Sequence, residues 1–543
     1  MFKKIMLLAS VLLLIGTCSF FAYDREQEPE TLASGALSGE VRQAQKLYKN
    51  LGQTLDFSRV QLCFKGELLA CDEESLTFYL PVDMDSDGWE NGSFTSMDDE
   101  ISILPLEDYT TYEKSEIVAS GQPVPFLAFS ESEDSCITVQ VVFTGLSVVR
   151  IETDADLDVD TVFAGSIVFY ESCGQTDWTY SSVFEAHERG QTSRAYPKKG
   201  YRVNLVAVTP GGISNKNKMS VLGMRSSDSW IFYAIYSDGT KVRDKFNIEL
   251  WNSFGADDTS YDAHFGTHME YVELVVNGEY RGLYGVMEPV DSTQLQISDQ
   301  EYLYKRTFSR ALSTELLDSY TTEEYLTVLG TELKGSDDAG TDYDWQCFRS
   351  YVELEEEADD EAFVSSAEAL LDMDNMTDIW LFIQMIYGED NIYKNMFYAF
   401  KKEADGYRMY QVPWDLDLTW GNVYTDDAEQ LYVTSAPELA TERLSWPFAD
   451  RLIELDAGGI QEKISGKWKE LRETVLSDEN MEELLEACIH EVQDSGAFAR
   501  DAARWPDSAH NGDYDALREF MEARLAFLDE ELLQKNMHGW IQE

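Results

Sequence analysis

Hydrophobic positions along this chain change period several times, and each change marks an element. Between Phe57 and residue 155, short apolar runs such as RVQLCF, SLTFYLPV, ISILPL and ITVQVVF are separated by Asp, Ser and Gly clusters. That spacing predicts a β-rich accessory module of sandwich type over 57–155, or the same strands as an elaborated edge of the main domain. From Val162 a strand, a polar Gly-containing loop and a second strand follow, running from VFAGSIVFYE to YRVNLV. In TKVRDKFNIELWNSFGA, Val242, Phe246, Ile248, Leu250 and Trp251 fall partly at helical spacing, and Gly255 is placed as a C-terminal stop. The alternating run around Asn277-Gly278 is the clearest hairpin signal in the chain.

Further along, residues 307–375 are acidic and read as mostly helical, an insertion between two parts of one domain or an elaboration of the second part. MTDIWLFIQMIYG is an apolar helix, and MFYAF and YRMYQV around KKEADG form a second hairpin that carries the chain to PWDLD. After Tyr424, IQEKISGKWKELRETVL and YDALREFMEARLAFLDEELLQK are amphipathic helices.

Chemistry enters in the stretch from 387 to 421. Phosphoryl transfer needs an Asp to orient and deprotonate the acceptor hydroxyl, and an Asn and a second Asp to hold magnesium on the nucleotide phosphates. Asp390 stands five residues before Asn395, a spacing that protein kinases use on one loop, and Asp415 and Asp417 follow the second hairpin. That hairpin returns Asp415 to a strand end facing the Asp390 loop. Such a spacing also arises by chance in a chain with 101 acidic residues, and Asp-x-Asp after Pro-Trp suits a solvated turn or a calcium loop as well.

Composition narrows the setting. A chain of 543 residues, 44% hydrophobic and 13% aromatic, is long and apolar enough for two or three folded domains. Its formal net charge of -59 disfavours nucleic acid and anionic membrane surfaces as partners, and suits basic peptides or cations; an acidic surface of an exported protein is the plainer reading. Residues 1–23 have the Lys-Lys start and apolar core of an export signal or membrane anchor, and 24–56 read as a tether and short helix. Cys18 follows LIGT, near a lipidation pattern but with Thr17 where a smaller residue is expected. No Cys-x-x-Cys spacing supports zinc; Cys63 and Cys71 flank FKGELLA and could bridge a hairpin. His264 and His268 read as a surface pair, because Gly266 between them argues against a metal-binding helix.

Five motifs in order, RGQTSRAYPKKGYRVNL, VLGMRSSDSWIFYAIYSDGTKVRDKFNIELWNSFG, VELVVNGEYRGLYGVMEPVD, EDNIYKNMFYAF and VPWDLDLTWG, resemble the CotH kinase family of spore coat protein H type. The resemblance implies an α+β, atypical protein-kinase-like two-lobed fold over 160–535, preceded by the β-rich accessory region and ending in a helical C-terminal part. It implies transfer of phosphate from ATP, with Mg2+, to Ser or Thr hydroxyls of secreted or spore-surface proteins, basic ones being suited by charge. A catalytically inactive kinase-like surface scaffold is the alternative. A third reading, a calcium-dependent carbohydrate-binding protein, rests on the spacing of Asp83, Asp85, Asp87 and Gly88.

By position, Asp390 matches the family's catalytic Asp, Asn395 the Asn after it, and Asp415 the metal-binding Asp before Asp417. Asn391 departs from the family pattern in detail. Arg189, Gly190 and Ser193 match its polar loop, where backbone amides beside a Gly approach phosphate oxygens and Arg189 pairs with them; a tight turn held by an Arg is the alternative. Lys199 is the candidate phosphate-holding lysine, since strand alternation groups it with Tyr201 and Val203 and puts Lys198 on the other face. Glu249 is its candidate helix partner or an exposed helix acid, Arg243 and Lys305 are further cations near the nucleotide, and Glu288 stands where a kinase hinge meets adenine.

Overall fold

A computed structural model describes the chain from residue 37, apart from 83–91, 156–160, 174–177, 191, 209–213, 256–260, 262, 335–344, 425–432, 536, 538–539 and 541–543. The expected export segment, the start of the tether and the loop of Asp83, Asp85, Asp87 and Gly88 lie outside the described residues. The protein mixes helices and sheets in two compact units. One comprises Met1–Tyr236, Met269–Glu288 and Ile489–Ser508; the other comprises Ser237–His268, Pro289–Cys488 and Ala509–Glu543.

The first unit is built on a sheet that closes on itself. Its strands run in the order Thr179–Arg189, Phe163–Tyr170, Ser147–Thr153, Met269–Val276, Glu279–Met287, Ser229–Tyr233 and Gly200–Val208, and the last pairs back onto the first. Closure leaves few open edges and turns alternate side chains inward. Val149, Ile151, Ile167, Phe184, Val203, Trp230, Leu274 and Tyr284 form the inner core. Asn277 and Gly278, with φ of 50° and 71°, make the tight turn that joins Val276 to Glu279, as their sequence predicts.

The outer face of this ring packs on the N-terminal strands. Phe64, Phe78, Leu80, Phe126 and Val141 share a core with Val148, Tyr170, Val275 and Tyr280. Strands on either side of 155–160 thus lie in one compact unit. Ser147–Thr153 carries apolar side chains toward both cores, with Val148 on one and Val149 and Ile151 on the other, so no alternation betrays its place in the ring. The accessory strands also include a parallel pair, Thr77–Pro81 with Ser135–Thr144, which departs from a purely antiparallel sandwich.

A four-stranded antiparallel sheet forms the second unit's centre, ordered Thr331–Leu333, Tyr302–Arg306, Met396–Lys402 and Tyr407–Pro413. The apolar helix Met373–Ile386 docks on it through Asn375, which donates to the Gln411 carbonyl at 3.2 Å and accepts the Gln411 N–H at 2.7 Å. Described parts of the region 307–375 are built into this unit. Thr331–Leu333 completes the sheet, and helix Gln346–Glu356 sets Phe348 5.1 Å from Tyr304 and Tyr351 5.3 Å from Tyr398, ring centre to ring centre. Amphipathic helices Ile460–Glu473 and Tyr514–Leu528 follow as expected.

Cys63 and Cys71 are free thiols on different sheets, so the anticipated bridge is absent. Burial, followed by the charge of Glu67, pushes the Cys63 thiol up to about 11. His264 and His268 are half-buried and their rings stack at 4.8 Å. Among the described residues no helix is long and apolar enough to cross a membrane.

Candidate functional site

Helix Met373–Ile386 delivers the first acid. Asp372 starts it by accepting the Asn375 N–H at 2.9 Å, and Tyr387, at φ 50°, ends it. The next turn, Glu389–Asn391, carries Asp390, whose Oδ2 accepts from Asn395 Nδ2 at 2.9 Å and whose Oδ1 lies 2.8 Å from Lys394 Nζ. Asn395 donates its backbone N–H to the Arg306 carbonyl at 3.0 Å and accepts the Trp414 N–H at 2.9 Å. The buried Asn391 donates to the carbonyls of Trp414 at 2.8 Å and Asn395 at 3.2 Å. The residue that departs from the expected family pattern is thus the brace between the Asp390 loop and the strand end before Asp415. Asn395 and Asp415, at φ 55° and 61°, are both held in the left-handed region, which Asn and Asp tolerate best and which recurs at functional sites.

The turn of Asp415 and Asp417 is framed by the first turns of helix Arg243–Phe254. Asp244 Oδ1 accepts the Leu416 N–H at 2.9 Å. Asn247 donates to the Leu416 carbonyl at 2.9 Å and to Thr419 Oγ1 at 2.8 Å, and accepts Trp420 Nε1–H at 2.7 Å. Asp417 accepts the Ser237 hydroxyl at 2.6 Å. Arg243, expected near the nucleotide, has its guanidinium engaged by Asp238 at 2.7 Å, Thr240 at 3.1 Å and the Thr419 carbonyl at 3.2 Å. Its place in the fold is to hold the loop, because three acceptors surround it as the chain enters the helix.

Charge is unbalanced here. Burial and then the Asp415 charge push Asp417 up to about 7. Burial, followed by Asp417 and Asp415, holds Asp244 well above the usual carboxylate range. Asp390 is raised too, by burial first, with Lys394 opposing and Asp415 adding. Asp238 goes the other way: burial alone would raise it, but Arg243 and the Thr240 and Arg243 hydrogen bonds hold it below. Crowded carboxylates raised by one another favour a cation. Among the described residues no three His, Cys, Asp or Glu side chains are gathered tightly enough to enclose a metal by themselves. Magnesium takes one or two carboxylates and completes its shell with water and phosphate, so a crowded pair such as Asp415 and Asp417 is compatible with it.

The upstream candidates lie in the first unit. Arg189 ends its strand opposite Gly200. Gly190, at φ 113°, has a backbone conformation that other residues rarely adopt, and a Cβ there would fall 2.0 Å from Ser193 Oγ, so the position favours its glycine. The two lysines are reversed from expectation. Lys198 is fully buried, 2.7 Å from Asp501 and 2.5 Å from the Leu283 carbonyl, whereas Lys199 is half-buried and donates to the Arg194 carbonyl at 2.6 Å. The strand begins only at Gly200, so its alternation does not extend back to the lysines. Glu288 is buried and accepts the Arg225 N–H at 2.9 Å and Nε–H at 3.2 Å. After Glu288 the chain passes into the second unit, where Glu249 is half-buried on helix Arg243–Phe254. Lys305 lies over the rings of Phe397 at 5.2 Å and Trp414 at 5.4 Å. Sequence reasoning missed Asp244, Asp238, Asn247 and Lys394; the run of three charged residues, Arg243 to Lys245, that opens the helix was the available signal for Asp244.

A family model described as CotH kinase protein matches residues 186–528, a span that takes in the Arg189 turn, the Asp390 loop and the Asp415 turn. No curated protein matches the chain.

Proposed function

The chain belongs to the CotH kinase family, and on that footing we propose that it is a phosphotransferase of protein-kinase-like, two-lobed design, moving phosphate from ATP to Ser or Thr hydroxyls of proteins outside the cytoplasm. One observation supports this most: hydrogen bonds from Asn395 and Asn391 tie the Asp390 loop to the strand end that presents Asp415. Asp390 would orient the acceptor hydroxyl and take its proton, its carboxylate made more basic than usual by burial. Asn395 fixes the Asp390 carboxylate, and Asp415, Asp417 and Asn395 would hold Mg2+. Magnesium, when bound, supplies charge neutralisation on the nucleotide phosphates. Lys394, 2.8 Å from Asp390, opposes the rise in that carboxylate's basicity. The expected export signal and the acidic charge support basic, exported protein substrates.

Incubation of the full-length chain with labelled ATP, Mg2+ and a basic Ser-rich peptide is the test. Wild type should label the peptide and Asp390→Ala should not. Folded wild type that neither labels the peptide nor binds nucleotide would leave the inactive-scaffold reading in its place.

A further inference from the structure

Asp244 is 2% exposed, yet only one of its carboxylate oxygens is satisfied. Oδ1 accepts the N–H of Leu416, the residue between Asp415 and Asp417. Oδ2 is buried and meets no hydrogen-bond donor among the described residues. After burial, the largest charges bearing on it are those of Asp417 and Asp415, with Asp238 adding to them. An unpartnered buried carboxylate oxygen costs on the order of 1–3 kcal/mol or more, so a fold that keeps one beside other acids holds it for something that arrives. Its placement in the first turn of helix Arg243–Phe254, where the backbone dipole favours negative charge, makes it tolerable in the meantime.

We infer that Asp244 is a positioning residue for the cation: one oxygen fixes the turn that presents Asp415 and Asp417, and the other is an acceptor left open beside that turn, which an entering divalent ion or its water would satisfy. This rests on the phosphotransfer reading of the same site. A Leu416 cap alone would be served equally by a neutral amide; the unpartnered second oxygen is what an amide cannot reproduce.

The test is thermal unfolding of the full-length chain titrated with Mg2+ alone, against a chelator baseline, for wild type, Asp244→Asn and Asp244→Ala. Asn keeps the acceptor for Leu416 N–H and removes charge, so it should unfold no lower than wild type in chelator while needing about tenfold more Mg2+ for half its stabilisation. Ala should show the same Mg2+ defect and also a lower baseline. If wild type and Asp244→Asn respond to Mg2+ alike, the inference is overturned while the metal site stands. An Asp244→Asn chain that fails to fold likewise overturns it, since charge relief with the cap retained should not unfold the protein. No Mg2+ response in wild type overturns both this inference and the metal role assigned to Asp415 and Asp417.

Discussion

Two places in the molecule bury charge in opposite ways. In the first unit, around helix Ala497–Arg504, Lys198 pairs with Asp501 at 2.7 Å, and Arg500 grips Glu273 through Nε at 2.7 Å and Nη2 at 2.8 Å. Asp501 also accepts the Leu283 N–H at 2.9 Å, and Tyr280 donates its hydroxyl to Glu273. These contacts fasten helix Ala497–Arg504 to strands Met269–Val276 and Glu279–Met287, joining segments more than 200 positions apart in sequence. In the second unit Asp244, Asp415 and Asp417 press on one another, and the nearby Arg243 is engaged by Asp238. Matched buried charge serves the fold; unmatched charge works against it and is the mark of a site that binds something.

Removing one acid from each kind of group should separate them. The largest effect expected is on chemistry: Asp415→Ala should cut peptide phosphorylation by about a thousandfold or more, ~4 kcal/mol, with an unfolding temperature no lower than wild type. A clear loss of stability in that variant would move Asp415 into the structural class. Next, Lys198→Met should destabilise the first unit by about 3–5 kcal/mol, because Asp501 is left buried without its cation. Urea unfolding measures it, and a change within half a kcal/mol would erase the contrast between the units.

A smaller effect lies in pH. Asp417, raised from 3.8 to about 7, keeps its proton in the folded chain to higher pH than in the unfolded chain. The folded state therefore binds more protons through that window, and stability in chelator should fall as pH rises from 3.8 to about 7. Asp417→Asn should flatten that fall and gain about 1–2 kcal/mol at pH 8. Chemical unfolding of both proteins at pH 5 and pH 8 reads the difference; an equal slope in the variant would assign the titration elsewhere.

Local pattern carried some of this and not the rest. The Asn277-Gly278 turn, the hairpin Met396–Pro413, the Gly255 stop and the buried helix before Asp390 all follow from periodicity and turn chemistry acting within a few residues. The Asp390, Asn395 and Asp415 constellation was visible because one short hairpin spans it. Asp244 was not, for it reaches Leu416 across 172 positions and its signal was only a charge at a helix start. The choice between Lys198 and Lys199 failed on a strand that begins one residue later, and its deciding partner, Asp501, is 303 positions away. The acidic composition of 307–375 hid the stripe of Phe348 and Tyr351 that seats it on the sheet.

Calorimetric titration of ATP into the full-length chain, with Mg2+ and with chelator, bears most directly on the claim that the unmatched acids of the second unit are a phosphate-and-cation site. Wild type should bind ATP with Mg2+ and lose at least tenfold in affinity in chelator, and Asp415→Ala should bind weakly in both. Folded wild type that binds ATP equally well with and without Mg2+, or not at all, would contradict it.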